Sequence, residues 1–409
     1  MKWNKKLTNL SLFILILSSL FLAAVNDSSA DTAAKSTVMN ASTSSGDTNT
    51  GRAGEIFNFP EDHLLHQPQS VVKNITDYTE WLYWTGILKD VKTGDLYGFQ
   101  YTLFHQNLMP GVIGFVNHVA ISDVLNSQHP RNRYFMLPNQ SQIINGTDSK
   151  NGDYWRYQDG QTTLTYWKNL DAWSIVSHGN VSSDGGHGQN VSINLTLLND
   201  TADYYLEWPE GIGSMGACAE INSQSLVGRS NYYSHPKMNT TGTLTIDGRT
   251  VRVNGDSWFD HQWGGYDQCY PAWDWFSLRL DDGSFVMLFN FKDPSLNNLP
   301  DQRSLTFIDP EGNVKWWSGE DAANLTITRW WRSDLFNFSY PVEWTLNTPV
   351  GNYSLQPYFD EQIMNVAEGE PKYWEGIMRV REEDPSGKQI GMAYMELAGY
   401  APILSQTEE

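Results

Sequence analysis

Residues Trp258-Phe259-Asp260-His261-Gln262-Trp263-Gly264-Gly265 set a carboxylate and an imidazole between indole rings. Such a pair can move protons near neutral pH, and apolar walls raise a carboxylate pKa toward that range. The competing reading is a Trp-rich strand end packed as core, with its Asp in solvent. Strand geometry sharpens the choice, because successive side chains point to opposite faces. Trp258, Asp260 and Gln262 then share one face, and Phe259, His261 and Trp263 share the other. Asp260 and His261 can act as a catalytic pair only across a bulge, which Gly264-Gly265 would permit. Without one, His261 and Trp263 face the ligand and Asp260 is a hydrogen-bonded junction residue.

Other strands offer partners for this block. Glu80, Leu82 and Trp84 form one face of a second aromatic run, and Trp81, Tyr83 and Thr85 form the other. Glu80 reads as a rim carboxylate, or as a proton donor with a raised pKa. Trp81, Tyr83, Gln262, Trp263, Trp273 and Trp275 complete the set expected to line a ligand site. His118 reads as a satisfied core histidine. His63 and His66 have a superficial metal spacing, but Pro60 and Pro68 flank them and no Cys or further His lies nearby, so no metal is expected. Nucleophile-elbow, phosphate-loop and dinucleotide motifs are absent from the sequence, and no cofactor is expected.

The elements that must position these groups are strands. Alternating runs around Lys92-Thr93-Gly94-Asp95, Asp247-Gly248, Asp282-Gly283, Pro310-Glu311-Gly312 and Pro385-Ser386-Gly387 read as hairpins. No run holds a helical period for long. Many short strands with frequent turns predict an all-β protein of barrels or sandwiches.

Composition bounds the setting. Residues 1–30 combine a Lys-rich start, the apolar run Leu10 to Val25 and small residues at Ser28-Ser29-Ala30, which predicts a secretory signal. Residues 31–57 are rich in Ser, Thr, Asn and Gly and read as a disordered tether. Sequons at Asn74, Asn145, Asn190, Asn194, Asn239, Asn324 and Asn352 fit a secreted, glycosylated surface. A net charge of −20 argues against nucleic acid or anionic membranes as partners. A soluble monomer with no integral membrane association after cleavage is expected. Cys218 and Cys269, the two cysteines, permit one disulfide, worth about 4 kcal/mol in a chain-entropy account, or two buried thiols.

Three groups of residues carry a family resemblance. Phe59-Pro60-Glu61-Asp62-His63 comes first, with Glu80 to Gly86 and Tyr97 to Phe104. Tyr232-Tyr233-Ser234 with Gly255 to Gly264 is the central block, and Tyr373-Trp374-Glu375-Gly376 with Tyr394 to Tyr400 is the last. In order and content they resemble the AttH-like family, which also holds CrtC-type carotenoid hydratases and certain fungal Diels–Alderases. The resemblance implies two tandem lipocalin-like β-barrels, residues 58–265 and 266–403, with the central block near their junction. It also implies an acidic side chain that protonates an alkene, for which Asp260, Asp267 and Asp274 are candidates. The function expected is an exported protein enclosing a large apolar, isoprenoid- or polyketide-like ligand, with cofactor-free hydration, isomerisation or cyclisation. The alternatives are a lipid carrier without turnover and an extracellular protein that binds or cleaves glycans.

Overall fold

The computed structural model describes residues 50–72, 78–109, 111–180, 188–199, 203–214, 229–265, 272–292, 301–364, 373–383 and 386–400. These form two curled antiparallel sheets with short helical turns. In the first, β1 (Tyr78–Asp90), β2 (Leu96–Met109), β3 (Val112–Asp123) and β4 (Arg131–Met136) make one meander. A second comprises β5 (Gln142–Asp148), β6 (Gly152–Gln158), β7 (Thr162–Trp167), β8 (Ala172–Gly179) and β9 (Val191–Leu198). Short β10 (Tyr205–Leu206) and β11 (Ile212–Ser214) precede the long hairpin of β12 (Arg229–Ile246) and β13 (Arg249–Gly265). That hairpin joins the meanders, giving the order β4-β3-β2-β1-β13-β12-β9-β8-β7-β6-β5.

The second sheet repeats the plan. Its first meander is β14 (Ala272–Leu280), β15 (Phe285–Lys292), β16 (Gln302–Ile308) and β17 (Val314–Ser318). Then follow β18 (Asn324–Arg332), β19 (Ser339–Thr348), β20 (Gly351–Pro357), β21 (Ile363–Met364), β22 (Tyr373–Glu382) and β23 (Gln389–Ala398). The order is β17-β16-β15-β14-β23-β22-β20-β19-β18, so in each sheet the last strand returns to pair with the first.

The turns follow their sequence signals. Between β12 and β13 both Asp247 (φ 46°) and Gly248 (φ 82°) have positive φ, the backbone that a two-residue hairpin needs and that Asp-Gly supplies. Each sheet has an aromatic-aliphatic core inside its curl. Trp84, Trp173, Phe259 and Trp263 belong to the first core, and Phe276, Trp344, Trp374 and Leu397 to the second. The two sheets pack against each other through their other faces. Tyr83, Tyr232, Trp258, Trp275, Phe289 and Tyr394 are among the rings and chains buried there. Buried apolar area of this kind, at about 25 cal/mol per Å², holds the halves together.

One expectation changes here. The tether expected over 31–57 gives way to packed chain from Gly51, since Ala53 and Phe57 are buried in the first core and the Ala53 amide donates to the Tyr204 carbonyl at 2.8 Å. Cys218, Cys269, Asp267 and Asn74 lie outside the described residues.

Candidate functional site

β13 pairs with β1 in unbroken register from Val253 to Gly265. The nearby bulge lies in β12, between His235 and Met238. Asp260 and His261 therefore point to opposite faces of one regular strand, and the pair that a bulge would have made does not form. Asp260 faces the junction between the sheets, while His261 and Trp263 lie inside the first curl.

At the junction, Asp260 is 2 % exposed. It accepts hydrogen bonds from Trp258 Nε1 (2.5 Å), from the Tyr232 hydroxyl (2.7 Å) and from the Ser234 hydroxyl. Burial still pushes its carboxyl up to about 7, against these donors. Trp275 Nε1 donates to the Tyr232 oxygen at 3.3 Å, and the Tyr83 and Trp275 rings meet edge-on at 5.4 Å. The second sheet contributes two further acids. Glu375 and Glu396 stand opposite each other on β22 and β23. Tyr83 donates its hydroxyl hydrogen to Glu375 Oε1, and Trp273 Nε1 donates to Glu396 Oε1 at 3.2 Å. Burial and then the neighbouring Glu396 charge raise Glu375 well above the carboxylate range. Glu396 is pushed up to about 7, chiefly by burial.

Glu207 is a fourth buried acid, at about 8, raised by burial and then by Asp260. Neither of its oxygens reaches hydrogen-bond geometry with the neighbouring hydroxyls of Ser234 and Thr306, and Glu375 Oε2 also lacks a partner among the described residues. Arg279 crosses from β14 to donate from Nη2 to the Thr85 carbonyl at 2.9 Å. Its Nε and Nη1 have no acceptor among the described residues. Burial lowers this guanidinium only to about 10, so it is cationic at neutral pH. The junction thus combines carboxyls whose pKa burial raises to neutral pH or above, a cation with free donors among the described residues, and aromatic faces.

Inside the first curl lies a different arrangement. Glu80 is fully buried, which excludes the rim position, and it is an acceptor rather than a raised acid. Its hydrogen bonds from His105, His261 and His66 outweigh burial and hold it well below the usual carboxylate range. His66 Nδ1 and His261 Nε2 sit 2.7 and 2.9 Å from its Oε1, and the Tyr78 hydroxyl donates to Oε2 at 2.5 Å. His63 turns elsewhere, stacking on Phe59 at 4.1 Å and meeting the Tyr233 hydroxyl at 2.7 Å.

Of the residues singled out in the sequence, Tyr83, Asp260, Trp273 and Trp275 come together in the junction network, with Trp81 packed at its edge. Gln262 lies on the same strand face and donates to the Ser230 hydroxyl at 3.0 Å. Glu80, His261 and Trp263 belong to the interior of the first sheet. Asp274 is engaged by Lys292 (2.6 Å), Asn290 (2.9 Å) and Tyr400 (2.6 Å), leaving it no free acid role. His118 is buried at the junction, with its Nδ1 2.6 Å from the Tyr373 hydroxyl. The acids Glu207, Glu375 and Glu396 were missed, although Glu375 and Glu396 sit within the quoted blocks. An acid inside an apolar strand was the available signal.

A sequence model described as AttH-like matches residues 50–400. The chain belongs to the AttH-like family. A search of curated protein sequences found no match. Among solved structures, a Nitrosomonas europaea protein assigned to AttH superposes with a TM-score of 0.67 at 23% identity, covering 86% of this chain and 99% of that one. Kievitone hydratase from Nectria haematococca gives 0.58 at 16% identity, over 86% and 96% of the two chains. CghA with Sch210972 gives 0.50 at 10% identity, over 79% and 88%. At these identities the likeness establishes the AttH-like fold of two tandem lipocalin-like barrels.

Proposed function

We propose that this AttH-like protein catalyses cofactor-free, acid-initiated hydration or cyclisation of a large, mostly apolar alkene held between its two sheets. The observation that carries the reading is the pairing of buried, neutral carboxyls with aromatic faces at the junction. Glu375, with one carboxyl oxygen free of partners, gives its proton to one alkene carbon, and positive charge develops on the next carbon. The faces of Tyr83, Trp258 and Trp275 stabilise that cation. Water then adds, or a nucleophilic group of the substrate closes a ring. The proton released returns to Glu375, so atoms balance without a cofactor. Arg279 offers its free donors to a carbonyl or phenolic oxygen of the substrate. A general acid placed this way is worth about 10²- to 10⁴-fold in rate.

The likeness to kievitone hydratase, a hydratase by name, supports hydration as the first reaction to try. Against a glycan platform stands the burial of Trp258 and Trp275, at 0 % and 2 % exposure. Export belongs to the same proposal. The signal-like segment supports it, and so does the exposure of Asn145, Asn190, Asn194, Asn239, Asn324 and Asn352, six sequon residues within the described chain.

The test is direct. Purified protein is offered prenylated phenols and linear isoprenoids, and products are sought by mass spectrometry as gain of one water or as an isomer of unchanged mass. Glu375→Gln should retain the ligand while losing about 10²-fold or more in turnover. Retention without any product from the wild type would leave a carrier and end the catalytic reading.

A further inference from the structure

The interior cluster around Glu80 stands apart from the junction, and the proton positions within it lead to an unassigned site. His261 Nδ1 lies 3.0 Å from the carbonyl oxygen of Asp62. A carbonyl only accepts, so this contact is a hydrogen bond when Nδ1 carries the hydrogen, whereas the Tyr233 hydroxyl, 3.1 Å from the same nitrogen, donates to it in the other tautomer. His66 Nε2 lies 3.3 Å from Asp62 Oδ1, again an acceptor, and carries its hydrogen there. A neutral imidazole has one N–H. In the tautomers that donate to Asp62, the remaining nitrogen of each ring aims a lone pair at Glu80 Oε1, at 2.9 Å from His261 and 2.7 Å from His66; in the other tautomers the same nitrogens donate to it. Two imidazole nitrogens converging on one buried carboxylate oxygen are also the donor set that a metal cation takes once those nitrogens are free of hydrogen.

We propose that His66, Glu80 and His261 bind one divalent transition-metal ion, of the zinc, cobalt or nickel class. The donor atoms of these three residues all lie within 4.8 Å of one another. Two imidazoles and one carboxylate suit such ions, with the remaining positions open to water or to Asp62. The outer contacts also fit: each ligating ring is oriented by an N–H donated to a carbonyl or carboxylate, the usual support for a metal-bound histidine. Glu80 Oε2 takes the Tyr78 hydroxyl, the His66 amide is shared between Oε2 at 3.0 Å and Oε1 at 3.2 Å, and Oε1 is the oxygen that both imidazoles approach. Metal–ligand bonds of about 2.0–2.2 Å hold ligand atoms roughly 3 Å or more apart. The His66 ring, stacked on Trp263 at 4.2 Å, must therefore draw back slightly on loading. The ion clasps the segment bearing Asp62 and His66 onto β1 and β13. This site does not rest on the proposed reaction, whose groups lie on the opposite face of the same strands.

The rival occupant is a proton, with His66 as an imidazolium between Glu80 and Asp62. Full-length protein without a histidine tag, stripped with EDTA, is titrated with Co²⁺ and with Zn²⁺. Binding of one equivalent is expected, with a cobalt visible spectrum and a rise in Tm that EDTA reverses. His66→Ala should weaken binding at least tenfold, while His178→Ala, on an exposed histidine elsewhere, should leave it unchanged. X-ray absorption of the zinc-loaded wild type needs no variant to fold, and two imidazole ligands are expected. Absence of stoichiometric binding, binding that survives His66→Ala in a folded protein, or fewer than two imidazoles would each overturn the site in favour of the proton.

Discussion

A carboxylic acid works as a proton donor at neutral pH only if something keeps it protonated, and at this junction that agent is burial. Glu207 and Glu396 are raised to about 8 and about 7 chiefly by burial. This has a thermodynamic signature with a definite sign. An acid whose folded pKa lies above its unfolded value stabilises fully below about 4.5 and loses that contribution as pH rises through the folded pKa. The Tm of the wild type should therefore fall between about pH 5 and pH 8. Glu207→Gln, neutral throughout, should flatten that fall, which calorimetry across the range will read. An unchanged slope would mean that Glu207 is not the buried acid described. Turnover should share the direction, declining above about pH 7 as Glu396 ionises and its charge acts on Glu375.

Strand β13 carries two unrelated jobs on its two faces. Asp260→Asn should lower turnover on the alkene panel, because an amide nitrogen replaces one of the two carboxyl oxygens that Trp258, Tyr232 and Ser234 donate to. His261→Ala should instead lower stability, on the order of 3 kcal/mol, by removing a partner of buried Glu80. The measurement is kcat and Tm on both variants; a loss of kcat in His261→Ala equal to that in Asp260→Asn would contradict the two-faced strand. Much of this was legible in the chain. Alternation separated Asp260 from His261, and Asp247-Gly248 marked its hairpin. What alternation could not supply was which face looked inward, since both faces of β13 are buried and aromatic. Nor could local spacing join His66 to Glu80 and His261, because that cluster exists only once β1 and β13 pair. Glu375 and Glu396 were hidden for the same reason: their pairing is a property of register, not of either segment alone. At Gly248, where φ is 82° and a Cβ would meet no atom within 4 Å, Gly248→Ala should cost about 1 kcal/mol from backbone strain alone. Urea melts will show it, and a neutral result would refute the turn assignment.

Taken whole, the molecule is one strand plan used twice, set face to face. The returning strand of each sheet supplies an acid to the junction, Asp260 from β13 and Glu396 from β23, beside Tyr83 and Trp275 on the strands they pair with. The hairpin rhythm of the sequence announced the strands and the family blocks announced two barrels with the central block near their junction, but only the packing set Asp260 beside Glu207, and Tyr83 against Glu375, there. Mature protein recovered from a secretory host should begin near Asp31 and lose mass on deglycosylation. An intact first thirty residues would remove the export proposal.

The contact between Tyr83 and Glu375 joins positions 292 residues apart, one from each half. Heredity must then treat the halves as one unit. A change tolerated in one barrel alters what the other barrel can tolerate, so new substrates would be reached by matched changes on both sides rather than by drift in either. A double-mutant cycle makes this measurable. Tyr83→Phe and Glu375→Gln should together cost less than the sum of their separate effects on kcat/KM, with a coupling of about 0.5–3 kcal/mol. Strict additivity would mean that the barrels evolve as independent parts that merely touch.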